Sequence, residues 1–195
     1  MHAGGVHPLR MYAARSGAML DARTCRVPVG RTPSASEQTI DERANSMTIF
    51  DDLRSSHEVQ RSLARTLTHG RASADSRRAA FLALADELDA HATAEERHLY
   101  VPLLMIDAGL SVSRHALADH HKAEKVVEQL RGVDPTTDHF GELARQLSAE
   151  VRDHLDEEEH GTFQLAGKLL SKTRLRELAA GYRAEYARRG GPHSV

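Results

Sequence analysis

Residues 91–100 read HATAEERHLY, and residues 154–163, which lie 63 positions further along, read HLDEEEHGTF. Each stretch places a Glu four residues after a His, as His91–Glu95 and His154–Glu158. Side chains four residues apart lie on the same face of a helix. Leucines precede both pairs in steps of three and four, which is the spacing of a buried helical stripe. We therefore expect two helices that each carry a His–Glu pair into a shared core.

The same offset of 63 relates two further helical stretches. It pairs His57 with His120, and it pairs apolar residues such as Leu67 with Leu130. A repeat that served packing alone would need to keep only the apolar positions. We therefore predict two helical hairpins related by a pseudo-two-fold axis, with a polar set kept inside them: His57, His91, Glu95, His120, His154 and Glu158.

The pattern from Thr48 onward predicts an all-α fold. Ala, Leu, Arg and Glu dominate, aromatic residues make up 4% of the chain, and no alternating β pattern competes. Four long helices joined by short connectors are typical of an up-down-up-down bundle. We place them at about 49–70, 73–109, 111–132 and 136–170, and a short extra C-terminal helix follows.

Start and stop signals set these boundaries. The second helix is expected to begin at an N-cap, Ser73 or Ser76, and the last helix at Ser171 or Thr173. Stops are expected at three glycines, which are Gly70, Gly109 and Gly132. Pro102 should kink or break the second helix, because proline lacks the backbone donor that a helix interior needs.

The first 46 residues differ from the rest of the chain. They are rich in Gly, Pro, Ser and Arg and have no sustained apolar period, which predicts a disordered tail. An alternative is that Met47 is the true start. We therefore divide the chain into the tail at 1–46, the bundle at 47–170 and a C-terminal helix and tail at 171–195. The single cysteine, Cys25, falls in the first segment.

Charge and cysteine content exclude several classes of protein. The net charge of -2 gives no electrostatic case for binding nucleic acid or an anionic membrane. No run of about 18 apolar residues is present, so no membrane span is expected. One cysteine cannot form an internal disulfide, which indicates a reducing, cytoplasmic location.

The chemistry follows from burying His and Glu where apolar residues should lie. A buried carboxylate is costly unless it is protonated, paired or bound to a metal. Ten of the 13 histidines lie between His57 and His160. The four imidazoles and two carboxylates of the repeat suit a pair of first-row transition ions, since imidazoles terminate such ions and carboxylates can bridge them.

A second metal site has to be weighed against this one. The pairs Glu95–His98 and Glu157–His160 match the Glu-x-x-His spacing of ferritin-like di-iron proteins. Their two copies lie 62 residues apart, whereas the helices repeat at 63. This alternative also lacks a convincing core Glu on the first or third helix.

Three other residues near the repeat allow two interpretations. His121 is the rival of His120 for the ligand position on the third helix. Tyr100 and Phe163 are related by the offset of 63 and are expected to cap the core. Tyr100 could instead be a redox-active phenol.

Taken together, His57, His120 and the stretches HATAEERHLYVPL and HLDEEEHGTF resemble the hemerythrin-like (HHE cation-binding) domain over about residues 48–170. The resemblance implies a four-helix bundle that holds two iron ions in a non-haem di-iron centre, bridged by oxo or hydroxo and by the two carboxylates. Its metal ligands would be His57, His91, Glu95, His120, His154 and Glu158. The implied small-molecule ligand is dioxygen, peroxide or nitric oxide.

The third helix departs from the pattern of the oxygen-carrying hemerythrins. Those proteins have a fifth His one turn before the ligand corresponding to His120, and here that position is Ala116. His115 lies about 140° away from His120 around the helix, which does not favour it as a replacement. An open iron position suits peroxide, nitric oxide or redox chemistry better than simple oxygen carriage.

Three functions follow from these features. The first is a di-iron protein that binds or reacts with a small oxidant. The second is an iron- or redox-responsive regulatory module without turnover, in which the C-terminal helix contacts a partner. The third is a purely structural helical module.

Overall fold

The computed structural model describes residues 46–191. These residues are all helical and contain no strand, so the all-α expectation is confirmed for this part of the chain. The tail expected at residues 1–46 falls, apart from its last residue, outside the described residues, and so does Cys25. None of the described helices is long and apolar enough to span a membrane.

Seven α-helical segments and two π-helical segments make up this region. The α-helices are α1 (Ile49–Thr68), α2 (Ala74–Glu95), α3 (Val101–Leu104), α4 (Asp107–Arg131), α5 (Asp138–Glu157), α6 (Phe163–Leu169) and α7 (Lys172–Arg188). The segment π1 (Glu96–Tyr100) joins α2 to α3, and π2 (Glu158–Thr162) joins α5 to α6. The described residues therefore form five helical rods.

Capping side chains fix where several rods begin. The Ser73 hydroxyl accepts the backbone N–H of Ser76, and Thr137 and Ser171 cap α5 and α7 in the same way. Such caps satisfy backbone donors that have no partner within the helix. Gly132 is the C-cap of α4, as its position in the sequence predicted.

The predicted turn at Gly109 is wrong. The chain turns earlier, at Met105 and Ile106, and Gly109 lies in the first turn of α4. A Cβ atom at this position would stand 2.5 Å from the backbone carbonyl oxygen of Leu103. Gly109 is therefore required by the close approach of two backbones and does not stop a helix.

Of the two effects predicted for Pro102, a kink or a break, the helix is not broken at the proline, and an irregularity lies just before it. In π1 the backbone N–H of Val101 donates to the carbonyl of Glu96, five residues earlier. In π2 the N–H of Phe163 donates to Glu158 in the same way. Each π-type turn accommodates one residue more than an α-helical turn, and such turns are frequent at functional sites. The helix continues through Pro102 into α3.

The rods pack around two separate apolar clusters. Helix α1 contacts α2, α5 and α7, α4 contacts α5, and α7 also contacts α2. One cluster contains Leu53, Leu99 and Phe163, and the other contains Leu67, Leu84 and Leu147. Along α1, α2 and the rod formed by α5, π2 and α6, the residues His57, His91 and Glu158 lie between residues of the two clusters. The spacing shared by the two halves of the repeat thus places a layer of polar side chains between two apolar clusters.

Candidate metal centre

The six residues of the predicted polar set come together in this layer. They form two groups whose ligand atoms lie within 4.8 Å of one another and which can hold a metal ion: His57, His91, Glu95 and Glu158, and Glu95, His120 and His154. Glu95 belongs to both groups. A carboxylate placed in this way has two oxygens to offer to two neighbouring cations.

Helices on opposite sides of the core supply these contacts. The Nε2 atom of His57 on α1 lies 3.1 Å from Oε2 of Glu158 on π2. Oε2 of Glu95, at the end of α2, lies 3.3 Å from Nε2 of His91 and 3.3 Å from Nε2 of His120. Nε2 of His120 lies 3.1 Å from Nε2 of His154. All four imidazoles thus direct Nε2 into the same space.

Five buried atoms in this space have no hydrogen-bond partner among the described residues. They are Nε2 of His57 and of His91, both carboxylate oxygens of Glu95, and Oε2 of Glu158. His57 and Glu158 approach within 3.1 Å, but they lack the geometry of a hydrogen bond. A buried polar group left without a partner costs about 1–3 kcal/mol. Lone pairs on nitrogen and oxygen that converge without donors fit a first-row transition ion.

Two outer carboxylates orient the imidazoles, and the sequence analysis gave them no role. Oε1 of Glu159 lies 2.7 Å from Nδ1 of His57, and Oε1 of Glu96 lies 2.9 Å from Nδ1 of His120. A carboxylate on the far nitrogen fixes the ring and its tautomer and leaves Nε2 for the metal. Glu96 and Glu159 are themselves 63 residues apart, so the repeat contained a signal for this pair.

The two outer carboxylates differ in their surroundings. Nη1 of Arg61 lies 3.0 Å from Glu159. Hydrogen bonding from His57 outweighs partial burial and, with Arg61, lowers the pKa of Glu159 to about 2. The position on α4 that corresponds to Arg61 is Glu124, which cannot supply a cation to Glu96.

The aromatic residues that follow the ligands also differ between the halves. Tyr100 is fully buried, and its hydroxyl donates to Oε1 of Glu158 at 2.9 Å. Phe163 stands at the corresponding position and has no hydroxyl to offer. Its ring stacks near that of His57, with centroids 5.9 Å apart. Glu158 therefore has one satisfied oxygen, whereas Glu95 has none.

His91 is held by a buried network that reaches α7. Its Nδ1 atom lies 2.8 Å from the hydroxyl of Ser56 and 3.1 Å from that of Tyr182. Ser56 also donates to the buried carboxylate of Glu87, whose other oxygen accepts the hydroxyl of Tyr186 at 2.6 Å. Sequence reasoning missed this network because Glu87 lies in an acidic stretch that is typical of a solvated face.

The imidazoles have two different protonation tendencies. Burial, reinforced by the charge of His120, lowers the pKa of His154 to about 3. Burial also holds the pKa of His91 well below its usual range. Both rings are neutral near pH 7, which is the form that binds a metal ion.

The pKa values of the other two imidazoles are raised, so these rings hold a proton more strongly. Burial lowers the pKa of His57, but Glu158 and Glu159 outweigh it and raise the pKa to about 9. Burial is similarly outweighed by Glu95 and Glu96 at His120, where the pKa rises to about 10. These protons compensate the buried carboxylates, and a bound cation would displace them.

The pKa values of the two core carboxyls shift in opposite directions. Burial and the charge of Glu95 raise the pKa of Glu158. Burial acts in the same direction on Glu95, but the Glu158 carboxyl and His120 outweigh it and lower the pKa of Glu95.

The remaining histidines near the repeat lie outside the polar layer. The side chain of His121 is 62% exposed and pairs with Glu124 at 3.2 Å, so it does not join the cluster. Nδ1 of His160 donates to the backbone carbonyl of Asp156, and the residue is exposed. Neither His98 nor His160 belongs to the two ligand groups, so the alternative Glu-x-x-His site is not assembled there.

A cleft connects the cluster with the surface. Its volume is about 550 Å³, and it lies between α2 and α4, with His91, His120 and His154 among its lining residues. Ligand pockets typically enclose about 300–1,000 Å³. A small molecule can therefore reach the imidazoles from this side.

The resemblance seen in the sequence is confirmed by a family comparison. A model of the hemerythrin family, described as the hemerythrin HHE cation binding domain, matches residues 48–166. This range covers α1 to α6 apart from the last turn, and it includes all six residues of the cluster.

One curated relative is more distant. A DNA nickase from Nostoc sp. is 29% identical over 98 residues, which is 50% of this chain and 28% of the nickase. The aligned part is thus little more than a quarter of that protein. No solved structure matches the chain.

Proposed function

The chain belongs to the hemerythrin family of HHE cation-binding domains, and from that premise we propose that its core holds two iron ions and binds or reacts with a small oxidant. One ion would be held by His57, His91, Glu95 and Glu158, and the other by Glu95, His120 and His154. The proposal includes the up-down-up-down order expected from the short connectors.

The observation that carries this proposal is the set of five unpartnered atoms. Every buried side-chain nitrogen or oxygen without a partner in the described region belongs to this cluster. Glu95 has two such oxygens and belongs to both ligand groups. These atoms all belong to the first group, and the second ion is proposed from the shared Glu95 and from the facing Nε2 atoms of His120 and His154.

The protein residues prepare the site before any small molecule arrives. Glu159 and Glu96 hold the rings of His57 and His120, and Tyr100 donates to Glu158. Apolar clusters flank the layer on both sides, and the cleft between α2 and α4 connects it with the surface. When bound, the iron pair would supply the redox chemistry that dioxygen, peroxide or nitric oxide requires.

Ala116 supports chemistry beyond simple oxygen carriage. It is 5% exposed and packs in the apolar cluster one turn from His120. A methyl group at this position supplies no ligand atom, so α4 contributes one imidazole to the cluster. The proposal therefore gives peroxide, nitric oxide and redox reactions precedence over reversible oxygen carriage.

A regulatory role is the second candidate, and one contact favours it. The hydroxyl of Tyr182 on α7 lies 3.1 Å from Nδ1 of His91. Iron binding at His91 would then change the contact that holds the C-terminal helix α7 against the bundle. The nicking activity named for the Nostoc relative is not extended to this chain, since the alignment covers 28% of that protein.

The test is the iron content and the ultraviolet-visible spectrum of the purified protein. We expect two irons per chain with charge-transfer absorbance, loss of the pair in Glu95→Ala, whose carboxylate serves both groups, and loss of at least one iron in Glu158→Ala. His120→Ala should lose at least one iron. His121→Ala is the matched control on the same helix and should keep both.

Two outcomes would reject the proposal. Full iron in both glutamate variants would exclude Glu95 and Glu158 as ligands, and full iron in His120→Ala with loss in His121→Ala would exclude the register of α4. Adding peroxide or nitric oxide to the loaded protein then separates the two candidates, because turnover or a spectral change is expected only for the first.

A further inference from the structure

A second cleft also leads to the metal cluster, and it shares Asp119 and His154 with the first. It has a volume of about 350 Å³ and lies between α4 and the junction of α5 with π2. Its inner wall includes Tyr100, His154 and Glu158. Three further lining residues, His115, Asp119 and Glu157, form a cluster of metal-binding side chains of their own.

These three residues bring one imidazole and two carboxylates together. Nε2 of His115 lies 3.0 Å from Oε2 of Glu157 and 3.4 Å from Oδ2 of Asp119. The three ligand atoms all lie within 4.8 Å of one another. His115 and Asp119 are one turn apart on α4, and Glu157 is the last residue of α5, so two helices meet at this point.

Nearby charge favours a cation here. Asp119 has a side-chain exposure of 12%, and its other oxygen, Oδ1, accepts Lys122 Nζ at 2.6 Å. Oδ2 remains directed toward His115. One ammonium thus faces two carboxylates, and the cluster keeps a net negative charge. Exposed ion pairs stabilise a protein by about 0–1 kcal/mol. The contribution of these ion pairs to stability therefore does not account for three metal-binding side chains meeting at one point.

The inner end of the cleft is lined by a buried core carboxylate that has an unpartnered oxygen. Glu158 is 2% exposed and lines the cleft, and its Oε2 atom has no hydrogen-bond partner. Glu157 and Glu158 are adjacent in the chain, one in the outer cluster and one in the core. A cation at the outer cluster would therefore have further ligands along the wall of the same cleft.

We propose that His115, Asp119 and Glu157 form an entry site that captures ferrous iron and passes it through this cleft to the core. This inference rests on the proposed function, since it requires that the core takes up iron. The entry site should bind iron weakly, because the side chains of His115 and Glu157 are 62% and 64% exposed and water competes with them for the ion. A weakly held ion can move on to the core.

A direct test of the entry site measures how many cations the chain binds in addition to the core iron. Co²⁺ is titrated into the iron-loaded full chain, and binding is followed by its visible absorption. We expect one Co²⁺ per chain beyond the core iron. The double variant His115→Ala/Glu157→Gln should lose it, because two of three ligands are gone.

The matched control is another exposed pair on α4. His121 and Glu124 have side-chain exposures of 62% and 66% and lie 3.2 Å apart, but they face the first cleft. The double variant His121→Ala/Glu124→Gln should bind Co²⁺ as the unchanged chain does. Equal binding by both double variants would reject the entry site.

A kinetic test addresses the transfer. The metal-free chain is mixed with Fe²⁺ without oxygen, and a chelator added at set times removes iron that has not reached the core. Negative clefts raise association rates by about 10–10³-fold, so His115→Ala/Glu157→Gln should load about tenfold more slowly and reach the same final iron content. The His121→Ala/Glu124→Gln control should load at the normal rate.

The outcomes separate the two proposals. If the unchanged chain retains iron and both double variants load at its rate, the entry site is rejected and the di-iron core stands. If only the control is slow, iron enters by the first cleft. If the unchanged chain retains no iron, the proposed function fails, and the entry site fails with it.

Discussion

At the scale of single residues, the outer carboxylates decide how firmly the imidazoles are held. Glu159 and Glu96 occupy the same position in the two halves, but their side chains are 19% and 41% exposed. Arg61 adds a second contact to Glu159 alone. The ring of His57 is therefore held in a more shielded environment than the ring of His120.

Substituting these carboxylates should weaken metal binding without removing a ligand. Loss of such an outer partner typically lowers metal affinity about 10–100-fold. We expect this for Glu159→Gln and Glu96→Gln, with the larger effect at the less exposed Glu159. Competition with a chelator of known affinity measures it, and Glu124→Gln is the control. Unchanged affinity in both variants would show that Nδ1 contacts do not matter here.

The tyrosines of α7 provide a second comparison, this time of stability. Tyr186→Phe leaves an oxygen of the buried Glu87 without a donor, which should cost about 1–3 kcal/mol. Tyr182→Phe should cost less, because Nδ1 of His91 keeps the hydroxyl of Ser56. Urea unfolding of the metal-free chain measures both. A larger loss in Tyr182→Phe would contradict this account of the network.

The sequence predicted the cluster but not its supports. His57, His91 and Glu158 were predictable because a repeated polar position on an apolar stripe is visible in a linear sequence. Glu87 was not, since its partners Ser56 and Tyr186 lie 31 and 99 residues away. Only the three-dimensional packing shows that this carboxylate is buried and not solvated.

At the scale of elements, the ends of helices were the least predictable feature. Glycine is a common helix stop, and this favoured a turn at Gly109. The structure instead uses Gly109 to let α4 approach Leu103. Similarly, π1 and π2 each cover a single turn and leave no periodic signal, so one extra residue in a turn could not be read from the sequence.

Two glycine substitutions test this interpretation. Gly109→Ala should destabilise the chain by about 1–3 kcal/mol, because the added Cβ meets a backbone carbonyl that cannot easily move. Gly161→Ala in π2 meets nothing within 4 Å and should be neutral or stabilise by up to about 1 kcal/mol. Thermal unfolding of both variants gives the comparison. Equal effects would mean that the close approach at Gly109 is not a constraint.

At the scale of the whole molecule, the polar layer between two apolar clusters ties stability to metal. A metal-free core contains two carboxyls and four imidazoles that are only partly compensated by protons. An ion that binds the native state alone adds RT ln(1+[L]/Kd), which is about 4 kcal/mol when free metal is ~1,000-fold above Kd.

Removing the metal should therefore lower stability and loosen the middle of the bundle. Urea unfolding with and without bound iron measures the free energy of unfolding. Amide hydrogen exchange should show the largest change near His57, His91 and Glu158, and little change at the far end of the apolar cluster around Phe140. Identical unfolding curves would show that the layer is stable without an ion.

The unequal burial of the two ligand groups has a practical consequence. The group of His57, His91, Glu95 and Glu158 is wholly buried, whereas His120 and His154 are only partly buried. A chelator should therefore extract the proposed pair of ions in separate phases, the one at His120 and His154 first. A chain stopped between the phases could be refilled at the vacant position with a different metal. The fold would then yield a mixed-metal protein from identical polypeptides, in which each ion is spectroscopically distinct.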